Sequence, residues 1–353
     1  MHDELFSSWL VRSALANGCD PLAFADAIWP KSRVWTMDTD RGIPAGRLRA
    51  LARSSGVPAR TFEGSTLQEV ASLVVNGSLP KKNFWHWILT VGARNRKRSG
   101  GLQYCPVCLA TDRRPYFRKH WRYAWHTVCE AHGNILLLDR CQGCGAAVQP
   151  HRLTADMKSI AVCPICCTDL RDGKTTVGER HAILFQQASD TVLSGHRQLL
   201  HDREVTIREW FTAAGFYWNL VRRIMDGRTE SLNAFGRSVG LQYLNLRPGV
   251  PAIEQARTSD RHDMLGGVFP IMEISRLEMK AHLGAAAVTL QAFCPGRVQL
   301  PGALTEVAAG LKDLPITRTR KAKKGPVDIM APKPRKTVER MMRRLVDRGL
   351  AKL

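Results

Sequence analysis

Apolar positions recur at helical spacing on both sides of a central stretch in which that spacing breaks down. Residues 5–29, "LFSSWLVRSALANGCDPLAFADAIW", read as two short amphipathic helices parted near Gly18. In "IPAGRLRALARSSGVPARTFEG", Leu48, Leu51 and Ala52 share one apolar face, Ser54–Val57 makes a Gly-containing turn, and Pro58 opens a second helix. That order predicts a helix-turn-helix. Beyond the centre, residues 181–224 read as helical, with aromatics at Trp210, Phe211, Phe216, Tyr217 and Trp218. "SLNAFGRSVGLQYLN" reads as helix, turn and helix, and "RTSDRHDMLGGVFP" and "ISRLEMKAHLGAAAVTLQAF" continue the helical pattern. Prolines at 315, 326, 332 and 334 mark a linker-like stretch over 315–334. After it, Val338, Met341, Met342, Leu345 and Val346 form one helical face, with Arg340, Arg343, Arg344 and Arg348 around much of the rest.

The centre is organised by cysteine. Seven cysteines and one histidine form four pairs, each with two residues between its members: Cys105/Cys108, Cys129/His132, Cys141/Cys144 and Cys163/Cys166. Two intervening residues let a tight turn aim both side chains at one cation. Proline presets that turn in "CPVC" and "CPIC", and Gly133 and Gly145 can supply a positive φ just after the ligands. Zinc(II) takes four tetrahedral sulfur or nitrogen ligands, so two pairs complete a closed, structural site. Sequential pairing leaves 20 residues between the pairs of the first unit and 18 in the second, the near-repeat of one small module. This predicts two zinc ribbons in series, each holding one structural zinc. A cross-brace of alternate pairs remains the other arrangement. Cys166 rather than Cys167 keeps the spacing, while Cys19 and Cys294 read as core residues.

Charge adds an expected partner. The chain of 353 residues carries a formal net charge of +21. Residues 94–122 hold nine Lys/Arg against Asp112 alone, and residues 318–353 hold thirteen against three acidic residues. Clustered cations repel one another, so an anionic partner is expected, and nucleic acid is the commonest. The candidates for nucleic-acid contact are Arg94, Arg96, Lys97, Arg98, Arg118 and Arg122, with Arg340, Arg343, Arg344 and Arg348 in the tail. In "RRPYFRKHWRYAWHTVC" the cations alternate with aromatics, which suits phosphate contact plus base stacking. The same aromatics also suit the ribbon's own core.

No apolar run approaches the roughly 18 residues that span a bilayer, and "MHDELFSSWL" lacks the order of a secretory signal, so a cytoplasmic protein is expected. There is no HExxH, GxSxG or Walker A pattern; beside "DGKTT", Thr168 stands where that last motif needs its first glycine. The loose acidic cluster Asp156, Asp169, Asp172 and Glu179 forms no acid–base set. A binding protein is expected rather than an enzyme. The expected fold class is mainly α with small zinc-ribbon β elements. The expected segments are a helix-turn-helix-like region over 1–100, tandem ribbons over 101–175, helices over 176–314, and a basic linker and helix over 315–353.

"YCPVCLATDRRPYFRKHWRYAWHTVCEAHGNILLLDRCQGCGAAVQPHR" resembles the zinc-ribbon core of TniQ/TnsD transposition proteins. The shared features are a Cys-Pro-x-Cys-Leu opening, an Arg–Trp stretch, Cys-x-x-His-Gly, a leucine-rich strand and Cys-x-x-Cys-Gly. "SSWLVRSALANG" is similar to that family's opening, and "RTSDRHDMLGG" is similar more weakly. The resemblance implies a non-catalytic adaptor that selects a transposon's target site. It would link DNA, or an RNA-guided CRISPR effector complex on DNA, to an AAA+ ATPase regulator and through it to the transposase. By position it carries the ligand roles to Cys105, Cys108, Cys129, His132, Cys141, Cys144, Cys163 and Cys166, and members that work with guide complexes are often compact homodimers. The residues alone also fit a stand-alone zinc-ribbon and helix-turn-helix transcription regulator.

Overall fold

The amphipathic segments become helices where their apolar faces meet. The computed structural model describes residues 1, 3–75, 77–80, 84–91, 102–244, 246–296 and 300–313. Five helices open the chain: α1 (Phe6–Ala16), α2 (Pro21–Ile28), α3 (Ala45–Ser55), α4 (Ala59–Gly64) and α5 (Gln68–Val74). Asp20 and Pro21 start α2 just beyond the break expected near Gly18. α3 and α4 meet at the predicted turn, with Pro58 capping α4. Phe6, Leu10, Ala25, Trp29, Val34, Leu48, Leu51 and Phe62 close one small core among them.

A second, much larger apolar cluster takes in α5, the cysteine-rich centre and the helices beyond it. The centre holds α6 (Pro106–Thr111) and an antiparallel pair of two-residue strands, β1 (Val128–Cys129) and β2 (Ile135–Leu136). The leucine-rich run between the cysteine pairs thus supplies a strand, with Cys129 opposite Ile135. In the described residues beyond 175 the helices are α7 (Arg180–Leu193), α8 (Ile207–Met225), α9 (Glu230–Ser238), α10 (Thr258–Glu273), α11 (Arg276–Ala285), α12 (Leu290–Phe293) and α13 (Gly302–Ala308). Reciprocal hydrogen bonds between Thr206 and Glu209 start α8, and Ser275 with Glu278 does the same for α11. α10 packs along α7 and α8, and buries residues around most of its circumference. Residues Met1–Asp313 form one compact unit, and residues 314–353 lie outside the described residues.

Two helical expectations change. Within 181–224 the chain makes an antiparallel hairpin, β3 (Gln198–Leu200) with β4 (Arg203–Val205), between α7 and α8. Its two-residue turn, His201-Asp202, holds φ at 51° and 64°, a conformation usually given to Asn-Gly. His201 is held there from outside the turn, 2.7 Å from the Ile274 carbonyl oxygen and 2.5 Å from the Tyr217 hydroxyl. In "SLNAFGRSVGLQYLN" the second expected helix is a single 3-10 turn at Leu241–Tyr243. Among the described residues no helix is long and apolar enough to cross a membrane.

Candidate metal centres

The first cluster is assembled from α6 and the β1–β2 turn. Cys105 is the N-cap of α6, its Sγ accepting from the Cys108 amide at 3.4 Å, so the helix start itself folds the first pair together. Cys129 ends β1, a 3-10 turn over Glu130–His132 carries the histidine, and Gly133 reverses the chain at φ 68°. In the second cluster Gly145 does the same at φ 70° just after Cys144. A β-carbon is disfavoured at both values, which is why glycine follows each of these pairs.

Cys105, Cys108, Cys129 and His132 form one group, and Cys141, Cys144, Cys163 and Cys166 another, the donor atoms of each lying within 4.8 Å of one another. The grouping is sequential. Cys108 Sγ lies 3.6 Å from Cys129 Sγ, and His132 Nδ1 lies 3.3 Å from the sulfurs of both Cys108 and Cys129 and 3.6 Å from that of Cys105. In the second group Cys141 and Cys166 are 3.6 Å apart, and Cys144 and Cys163 3.8 Å. Zn–S bonds of about 2.3 Å at tetrahedral angles separate sulfurs by about 3.8 Å, and sulfur from nitrogen by about 3.5 Å. Both donor sets are therefore compatible with structural zinc. The thiols also compete for protons: hydrogen bonds from Cys108 and then Cys129 lower Cys105 to about 2, while bonding to Cys105 raises Cys108. One dication satisfies all four donors together.

The two groups differ in exposure. Cys105, Cys108 and Cys129 are buried, whereas Cys144 and Cys166 are exposed. Cys167 gives its amide to the Cys163 carbonyl at 2.9 Å, closing the ribbon turn, and its thiol is exposed outside the group.

Residues that the spacing did not single out hold the first cluster in place. The Gln186 side-chain oxygen accepts from the amides of Thr127 and Val128 at 2.9 and 3.2 Å. His262 Nε2 accepts from the Glu179 amide at 2.6 Å, which leaves Nδ1 as the donor to the Thr127 hydroxyl at 2.9 Å. Burial lowers His262 to about 4, so it stays neutral in that bridge. The fully buried Arg261 donates to the Ala124 and His126 carbonyls, Gln103 and Thr258. Burial lowers its guanidinium to about 10. The "RTSDRHD" segment is thus a latch between α10 and the chain entering Cys129. Its sequence signal was an arginine and a histidine side by side just before the apolar run over 264–272 of the same helix.

In the basic–aromatic stretch the core reading of the aromatics holds, and the expectation for the arginines is corrected. Phe117, Trp121, Tyr123 and Trp125 are core residues. Arg122 is 0% exposed; its guanidinium is spent on Asp38 at 2.6 Å, Asp40 at 2.8 Å and the Leu89 carbonyl at 2.6 Å. It cannot reach a phosphate. Arg118 lies over the Tyr116 ring and grips Asp112 with two hydrogen bonds of 2.9 and 3.0 Å, so its charge is already paired. Arg94, Arg96, Lys97, Arg98, Arg340, Arg343, Arg344 and Arg348 lie outside the described residues.

A helical protein built around two four-donor ribbon clusters is the class that this fold and these sites define. Within it, residues 1–136 match the TniQ family model, in agreement with the resemblance carried by the ribbon motif. The match takes in the helix-turn-helix and the complete first cluster, and ends with β2. No curated protein matches the chain.

Proposed function

We propose that the chain is a zinc-stabilised, DNA-binding adaptor for transposition. It selects a target site and connects that site to an AAA+ ATPase regulator, and through it to the transposase. The observation that carries the reading is the TniQ match over a region containing one whole four-donor cluster. Two saturated clusters serve stability rather than chemistry, since a catalytic zinc keeps a coordination position open. A cytoplasmic location, self-association as a homodimer, and use of an RNA-guided effector complex in place of direct DNA reading belong to the same proposal. The test is co-purification of the tagged protein with the ATPase and transposase encoded beside it. Association with either supports the adaptor; association with neither, alongside binding at a promoter far from any transposon, favours a stand-alone regulator built on α3 and α4.

A further inference from the structure

With Arg122 buried and Arg118 paired, neither offers a free cation to DNA. α3 and α4 supply a basic surface. On α3, Leu48 and Leu51 enter the core, while Arg49 and Arg53, one turn apart, are exposed on the opposite side. Gly46 continues that stripe, with open space where a side chain would stand. On α4, Phe62 is buried, and Arg60 and Gly64 share the exposed side opposite it. Lys119 extends this second stripe, because its ammonium lies 2.7 Å from the Gly64 carbonyl oxygen. Both stripes thus face away from the one core the two helices share.

Among the described residues no carboxylate lies within ion-pair distance of Arg49, Arg53 or Arg60. Some surface arginines beyond residue 175 are paired. Arg197 pairs with Glu204, Arg237 with Glu230, and Arg203 and Arg276 both with Glu306. The nearby carboxylates Asp38 and Asp40 are occupied by Arg122, which leaves Glu63 as the exposed acidic residue of α4, to one side of its stripe.

We propose that Arg49, Arg53 and Arg60 form a face that seats the phosphate backbone of duplex DNA. The inference rests on the DNA-binding part of the function proposed above. No aromatic side chain stands on either stripe, so the face lacks the stacking platform of a single-strand binder. It also lacks the Trp and Tyr anchors that stand beside arginine at protein interfaces. Bare phosphates on a rigid duplex are what it matches.

The test uses the full-length, zinc-loaded protein titrated with a short duplex between about 50 and about 200 mM salt. Each lost phosphate contact flattens the dependence of log affinity on log salt by about 0.9. Arg49→Ala/Arg53→Ala/Arg60→Ala is expected to flatten the slope by about 2 to 3, and Glu63→Lys to steepen it by about 1 and tighten binding. Glu63→Lys decides the matter alone if the triple variant loses zinc or fails to fold. An unchanged slope in folded triple variant, or no tightening with Glu63→Lys, overturns the face while leaving the adaptor reading standing. Preference for single-stranded DNA that depends on the three arginines overturns the assignment to duplex. Failure to associate with the ATPase and transposase overturns the adaptor and leaves the face intact.

Discussion

Replacing Arg122 with methionine separates a structural cation from a DNA contact. In the folded protein its guanidinium meets Asp38 through bonds of 2.6 and 3.2 Å and Asp40 through one of 2.8 Å, and it is fully buried. Asp40 also accepts from the Ser7 amide at 2.7 Å and the Ser7 hydroxyl at 2.9 Å, which ties α1 to this network. Methionine keeps much of the volume but leaves two carboxylates beside one another without their cation. Breaking a buried pair from one side costs about 3–5 kcal/mol. Unfolding entropy of about 2.1 cal/mol/K per residue, over a unit of roughly 300 residues, converts this to a melting-temperature loss of about 5–8 °C.

The same variant carries a pH signature. Burial raises Asp40 to about 6, although Arg122 pulls it down. An acid whose pKa is higher folded than unfolded holds more protons in the native state. Its contribution to stability therefore declines as pH rises from about 4 to about 6. Without Arg122 the folded pKa climbs further, so the decline extends to higher pH, and Asp40→Asn in the Arg122→Met background restores part of the loss. Thermal unfolding of the zinc-loaded protein across this range measures all three effects. The DNA salt slope of the folded variant should match that of the wild type. A loss below about 1 kcal/mol, no rescue by Asp40→Asn, or a slope flattened by about one contact would each refute the structural assignment.

Cys129→Ser is expected to remove one of two zinc equivalents, read by native mass spectrometry; two full equivalents in the variant would refute its assignment as a ligand. A chelator is expected to empty the second cluster before the first, because Cys144 and Cys166 are exposed and the first cluster's cysteines are not. Alkylation mapped by mass spectrometry should mark Cys144 and Cys166 before Cys105 and Cys108, and the reverse order would count against the argument. Arg343→Ala with Arg344→Ala should weaken duplex binding and flatten its salt slope by about 2 if the basic tail contacts DNA. An unchanged slope would make the tail a bystander.

The metal ligands were legible in the sequence because tetrahedral coordination imposes a local rule, two donors per turn, that survives any tertiary context. The α1–α2 break and the α3–α4 turn were legible for a similar reason, since Asp20, Pro21 and Pro58 act on their immediate neighbours. The misreadings lie where distant residues decide. His201-Asp202 makes a hairpin turn because Ile274 and Tyr217 hold the ring, and neither is near in sequence. Arg122 looked like a surface cation until Asp38 and Asp40, more than eighty residues earlier, were placed against it. Alternation of cations and aromatics does not reveal which member faces inward. In this stretch the aromatics and Arg122 face inward together.

The two clusters consequently do different mechanical work. The strand ending at Cys129 is gripped from α7 by Gln186 and from α10 by His262 and Arg261. On the other side, the ribbon's Phe117 exchanges backbone and side-chain hydrogen bonds with Leu5 and Ser8 at the start of α1. Opening the first cluster therefore strains contacts to both helical regions, and its metal is tied to the stability of the whole unit. The second cluster begins where β2 ends, and half of its ligands face solvent. The second ribbon is packed as well, with Asp20 accepting from the Ala155 amide at 2.7 Å and His151 stacked on Trp35, but its exposed ligands make it the cluster that opens first. The exposed metal is therefore expected to leave before the buried one, whose strand is tied to α1, α7 and α10.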